Sequence, residues 1–127
     1  MNLEKVIFGF FIIFACTLNF GFFIGDLERP ELHHPMELFA AVVVNLIATI
    51  LKFGDRTQLG ATHLATSLVA SAQLVAASLV WVWRVYVIGL PVNGEVISVI
   101  VSLSGGALLA NVFSVILLIG ETLRQGR

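Results

Sequence analysis

Four long apolar stretches, at about 6–25, 37–53, 60–89 and 96–120, alternate with three short polar breaks. A hydrocarbon core of ~30 Å takes about 20 apolar residues of helix to cross. Lipid offers the backbone no hydrogen-bonding partner, so each crossing must satisfy its own N–H and C=O groups, as a helix does. The pattern predicts four membrane helices, the third reaching back to residue 56. The breaks carry turn chemistry. Asp26 to Pro35 is polar and holds two prolines. Gly54 suits a left-handed cap on the second helix, and Asp55 with Gln58 suits a capping box on the third. "GLPVNG", 89–94, closes the third helix and turns into the fourth.

Two stretches need further reading. "VIFGFFIIFACTLNFGFFIG" follows Lys5 as a secretion signal's core would, but its apolar run continues to Ile24. A signal's apolar region is usually about 7–15 residues, so this is a retained first span. The third helix, 56–89, would run to roughly 50 Å at ~1.5 Å per residue. Counting back from Trp81, Trp83 and Tyr86, which fit an interfacial aromatic belt that Arg84 joins by snorkelling, its inner boundary falls near His63. "GDRTQLGATHLATS" then protrudes, lies on the surface or re-enters the membrane.

Charge orients the chain. Lys5, Lys52, Arg56, Arg124 and Arg127 fall at the N-terminus, the middle break or the C-terminus, while the other two breaks are mainly acidic. Basic segments stay cytoplasmic, so both termini are expected inside. Composition agrees with a lipid setting: 58% of the 127 residues are hydrophobic and 12% are charged, against about 25% charged in a soluble domain. Mean hydropathy is +1.00. The single Cys16 rules out an internal disulfide and a cysteine-based metal site. A net charge of -1 gives no reason to expect nucleic acid.

The polar residues inside the spans are the candidates for function. On the fourth helix Ser98, Ser102, Gly106, Ala110 and Ser114 place a small residue at every i+4 step, a ridge that lets helices approach closely. Gly21 and Gly25 make a GxxxG on the first helix, and Ala41, Asn45, Ala48 and Thr49 give the second a comparable face. On the third, Thr62, Gln73 and Arg84 are spaced by 11 and share a face, with Thr66 close to it. Asn45, Thr62, Thr66 and Gln73 are therefore candidates to line a pathway. The plainer alternative is a Gln73–Asn45 hydrogen bond holding two helices together. His33, His34 and His63 are candidates for a pH or metal response, although adjacent histidines point apart. For His33 and His34 a solvated loop is the plainer reading, and interfacial hydrogen bonding is for His63. No Asp, Glu, Lys or Arg lies deep in a span, which speaks against proton-coupled exchange. No catalytic motif or ligand cluster is present, so no enzyme activity, metal or cofactor is expected.

"MNLEKVIFGFFI", "ELFAAVVVNLIATILKFGDRTQLGA" and "SLSGGALLAN" resemble a family of small four-span bacterial inner-membrane proteins of unknown function, over nearly the whole chain. The resemblance implies that setting and no activity. "VVVNLIA" is also similar to part of the second helix of the small fluoride channels, with Asn45 as the matching asparagine. Their glycine-pair and arginine pattern is missing from the first helix, and "THLATSLVA" stands where a Thr-Phe-Ser-Thr-Phe run belongs. Small multidrug exporters need a membrane carboxylate in the first helix, which is absent. Both are set aside.

The expectation is an all-α, integral membrane, antiparallel four-helix bundle in one domain, 1–127, with both termini cytoplasmic. Its surroundings are the lipid bilayer of a bacterial inner membrane, with a homo-oligomer or another integral membrane protein as partner. Two functions remain open: an oligomeric passive channel or channel subunit for a small ion or solute, or an accessory subunit that regulates another membrane complex.

Overall fold

The computed structural model describes residues 3–24, 35–54 and 57–125. They form four helices: α1, Leu3–Phe23; α2, Pro35–Lys52; α3, Gln58–Val82; and α4, Gly94–Gln125. A π-helical turn, Trp83–Val87, extends α3. All four helices are long and apolar enough to cross a membrane.

Local chemistry sets the ends. Gly54, at φ 100°, takes the left-handed conformation after α2, which costs glycine nothing because it lacks a Cβ. Asp55 lies outside the described residues. The cap on α3 is Thr57, whose side chain accepts the Gly60 N–H at 2.9 Å. Gly89, at φ 81°, ends the third helix's extension, and Arg84 Nε donates to the Pro91 carbonyl at 3.0 Å across that turn. Asn93 caps α4 by accepting the Val96 N–H at 2.9 Å. Thr57→Ala should cost about 1 kcal/mol, readable as a lower unfolding midpoint in mixed micelles.

Each helix packs on two neighbours, in the order α1, α2, α3, α4 and back to α1. Neighbours run antiparallel: Lys5 pairs with Glu121, and Phe8 of α1 lies under Lys52 of α2. His63 of α3 meets Ser114 of α4. Both described chain ends and the turn after α2 therefore gather at one end, the base.

The buried positions on each seam advance in steps of three and four. On α1 they include Phe8, Ile12, Ala15, Asn19 and Phe22. On α3 they include Gly60, His63, Ser67, Ala70, Leu74 and Ala77. On α4 they include Ile97, Val101, Ser104, Ala107, Asn111 and Ser114. This is the seam period of a helical bundle. The Ser98–Ser114 ridge behaves differently, because each i+4 step overshoots a full turn by ~40° and four steps wind roughly 160° around the helix. Ser114 is buried, Ser98, Gly106 and Ala110 are half-buried, and Ser102 faces outward.

The outside of the bundle is strongly apolar, and its interior is partly polar. Large apolar side chains stand exposed around the outside, among them Phe10 at 61%, Ile50 at 69% and Leu109 at 72%. Asn19, Asn45 and Asn111 are fully buried. A bundle built for water would reverse this. The interior holds two separate apolar clusters. The larger, away from the base, includes Phe22, Leu38, Leu74, Ile97, Ile100 and Val101. The smaller, toward the base, is Phe8, Ile12 and Ala48. Polar residues fall between them along the chain: Asn19 lies between Ile12 and Phe22, and Asn45 between Ala41 and Ala48. Trp81 turns inward against Phe22, whereas Trp83 and Tyr86 remain exposed.

Candidate functional site

A cavity of about 1350 Å³ opens at the base, where the first turns of α1 and α3 meet the ends of α2 and α4. Its wall includes Lys52, Thr62, Glu121 and Arg124, together with Phe8 and His63. The base can be charged because Lys5, Lys52, Glu121 and Arg124 all sit in first or last turns. Deeper in the bundle, among the described residues, no Asp, Glu, Lys or Arg is buried.

His63 forms the cavity's inner limit. It is 1% exposed, and its Nδ1 lies 2.6 Å from Ser114 Oγ, a hydrogen bond that joins α3 to α4. The Phe8 ring meets the imidazole edge-on at 4.9 Å, and Lys52 Nζ stands 4.3 Å over the same Phe8 ring. A cation over an aromatic face is attracted by the ring's quadrupole, so α1, α2 and α3 are tied at this level. The bundle buries His63 because position 63 falls on the seam of α3.

Ser67 lies four residues beyond His63, and Asn111 three residues before Ser114. On antiparallel helices both displacements point away from the base, by about one ~5.4 Å turn. Both residues are fully buried. Among the described residues, neither Ser67 Oγ nor either amide atom of Asn111 finds a hydrogen-bond partner. An amide offers two donors and a carbonyl acceptor, and a hydroxyl offers both roles. This layer therefore presents hydrogen-bonding capacity of both signs that the chain itself does not use.

Among the described residues, Asn45 Oδ1, Gln73 Oε1 and Ser78 Oγ also lack a hydrogen-bond partner, whereas several other interior polar groups are engaged. Thr49 Oγ1 lies 3.1 Å from Ser71 Oγ. The Asn19 side chain reaches Ser104 Oγ at 2.6 Å. With its oxygen turned toward the Leu108 N–H at 2.9 Å, its nitrogen donates to the Ser104 carbonyl at 3.0 Å. Asn19 thus docks α1 onto the backbone of α4.

The four pathway candidates differ in how their polar groups are used. Thr62 lines the cavity, but its hydroxyl donates to the Gln58 carbonyl at 3.0 Å. Thr66 likewise donates to the His63 carbonyl at 2.9 Å. Asn45 is buried and donates to the Ala41 carbonyl at 3.1 Å, leaving its Oδ1 without a partner. Gln73 lies against α4, where a Cβ added to Gly106 would fall 2.6 Å from its Nε2. The Gln73–Asn45 bond is not formed. Arg84 lies in the π turn that extends α3, and its Nε donates to the Pro91 carbonyl. His33, His34 and Gly25 lie outside the described residues.

Sequence reasoning missed Ser67, Asn111 and Asn19 as a group. The signal was available: Asn111, Ser104 and Ser114 fall on one 3–4 line with Ile97 and Val101, whereas the i+4 line draws the eye to Ser102. A family model described as a family of unknown function (DUF6394) matches residues 32–122. No curated protein and no solved structure matches the chain.

Proposed function

This chain belongs to the DUF6394 family of unknown function, and from its own geometry we propose a passive route across a bacterial inner membrane for a small solute or ion. The route runs in a homo-oligomer or beside another integral membrane protein. The observation that carries this reading is the base cavity backed, one turn deeper, by buried polar atoms that find no hydrogen-bond partner among the described residues. In lipid such atoms are expensive, and a bundle with only packing to do gains nothing from them. Beyond the layer, Phe22, Leu38, Leu74, Ile97, Ile100 and Val101 close the interior with apolar side chains. A constriction of that kind gates by excluding water. The base carries Lys5, Lys52 and Arg124, which supports placing it, and both chain ends, in the cytoplasm.

The second reading, an accessory subunit, draws on outward small residues. Ser102 on α4 and Ala61, Ala65 and Ala72 on α3 are exposed, and small residues let another membrane helix come close. Purified protein in sealed liposomes separates the two readings. The route predicts solute or ion permeation at least about tenfold above protein-free vesicles, a scale set by one lost transition-state interaction of ~1.4 kcal/mol. Gln73→Leu should leave that rate within about twofold, since Gln73 packs on Gly106. Permeation of nothing tested would leave only the accessory role, and a periplasmic reporter signal from either chain end would overturn the orientation.

A further inference from the structure

We propose that Ser67 and Asn111 form a binding site for one small uncharged molecule that both donates and accepts hydrogen bonds, reached from the base cavity past the His63–Ser114 pair. The proposal rests on the passive-route reading for how the molecule arrives, and on the side chains alone for what it is.

The chemistry of the layer selects the class. Asn111 presents an N–H pair and a carbonyl, and Ser67 a hydroxyl, all fully buried and, among the described residues, without a hydrogen-bond partner. A cation would meet the Asn111 N–H groups as well as its oxygen, and one amide oxygen with one hydroxyl falls far short of a cation's usual shell of about six oxygens. An anion would meet the Asn111 carbonyl. Either ion would also bring bare charge into an interior where, among the described residues, no side chain of opposite charge is buried, and an unpaired charge there is very costly. A neutral molecule with donors and acceptors satisfies both residues at once and brings no charge. Water, urea and glycerol belong to this class.

His63 and Ser114 control access. They stand between the cavity and the layer, on the same two helices, one turn closer to the base. Their hydrogen bond closes the way between α3 and α4. Its rupture would loosen the contact between α3 and α4 at this level and open the layer to the cavity.

Two measurements on the full chain in bilayers test the site. The first is stopped-flow permeation of urea and glycerol, with K⁺ and Cl⁻ flux in parallel. Urea should cross at least about tenfold faster than in empty vesicles, with K⁺ and Cl⁻ no faster, and Asn111→Leu and Ser67→Ala should each remove most of the gain. The second is solid-state NMR of ¹⁵N-labelled protein titrated with urea. The Asn111 side-chain amide should shift and exchange with solvent, while the Asn19 amide, bonded to α4, should not. Ion flux that Asn111→Leu abolishes would overturn the uncharged class and leave the route standing. Urea flux indifferent to both substitutions would overturn the site and also leave the route. An Asn111 shift without any flux would uphold the site and sink the route. No shift and no flux would sink both.

Discussion

Gly105→Leu is expected to destabilise the bundle by about 2–3 kcal/mol, the cost of forcing extra methylenes into a packed core. A Cβ at position 105 would fall 2.8 Å from Phe23 Cε1 and 3.4 Å from its Cδ1. Phe23 is packed against the large apolar cluster, so its ring has little room to retreat. Leucine adds three more carbons to that collision, and α1 and α4 must separate to admit them. The neighbouring glycine is more forgiving. At Gly106 the obstacle is the far end of the Gln73 side chain, which can rotate away, so Gly106→Ala should cost less than Gly105→Ala. Gly120 supplies the control: nothing lies within 4 Å of a Cβ built there, and Gly120→Leu should be close to neutral. Reversible unfolding in bicelles, compared across the four variants, reads the order directly. Equal losses at 105 and 120 would mean that α1 and α4 do not approach as described.

The second large effect is a difference in sign between two buried asparagines. Leucine has the same branching as asparagine without its polar atoms, so Asn→Leu tests the hydrogen bonds with little change of shape. At position 19 the substitution removes an amide that bonds Ser104 and Leu108. The loss should be about 1–2 kcal/mol, the upper range for interhelical hydrogen bonds in a membrane. At position 111 it removes two buried atoms that have no hydrogen-bond partner among the described residues. Relieving an unsatisfied buried polar group is worth about 1–3 kcal/mol, so Asn111→Leu should raise stability while it removes permeation. A residue retained at a cost to stability is retained for what it does. Should Asn111→Leu prove as destabilising as Asn19→Leu, Asn111 is a structural group and the layer is part of the scaffold.

The histidine at the cavity floor shows what a sequence position leaves open about its surroundings. Read along the chain, His63 falls where an overlong helix leaves the apolar zone, and an interfacial role follows. In the bundle it faces α4, because 63 lies on the same 3–4 line as Gly60, Ser67 and Ala70. The small-residue ridge fails for the complementary reason. An i+4 row looks like a face on paper but turns steadily around the helix, so Ser102 and Ser114 end on different sides. Hydrogen bonds are still less legible. Thr62 and Thr66 read as pathway hydroxyls, yet both are taken up by carbonyls of their own helix, the usual habit of a helical threonine.

What the sequence determined by itself is the number of helices, roughly where the chain turns between them, and their suitability for lipid. Those depend on the length of apolar runs and on local turn chemistry at Gly54, Gly89 and Asn93, and neither needs a neighbour. The tertiary structure alone decided which polar groups face one another. Asn19 with Ser104, Thr49 with Ser71 and His63 with Ser114 join residues between 22 and 85 positions apart. Rotation of each helix about its own axis sets those meetings, and that rotation is fixed only when all four seams pack at once.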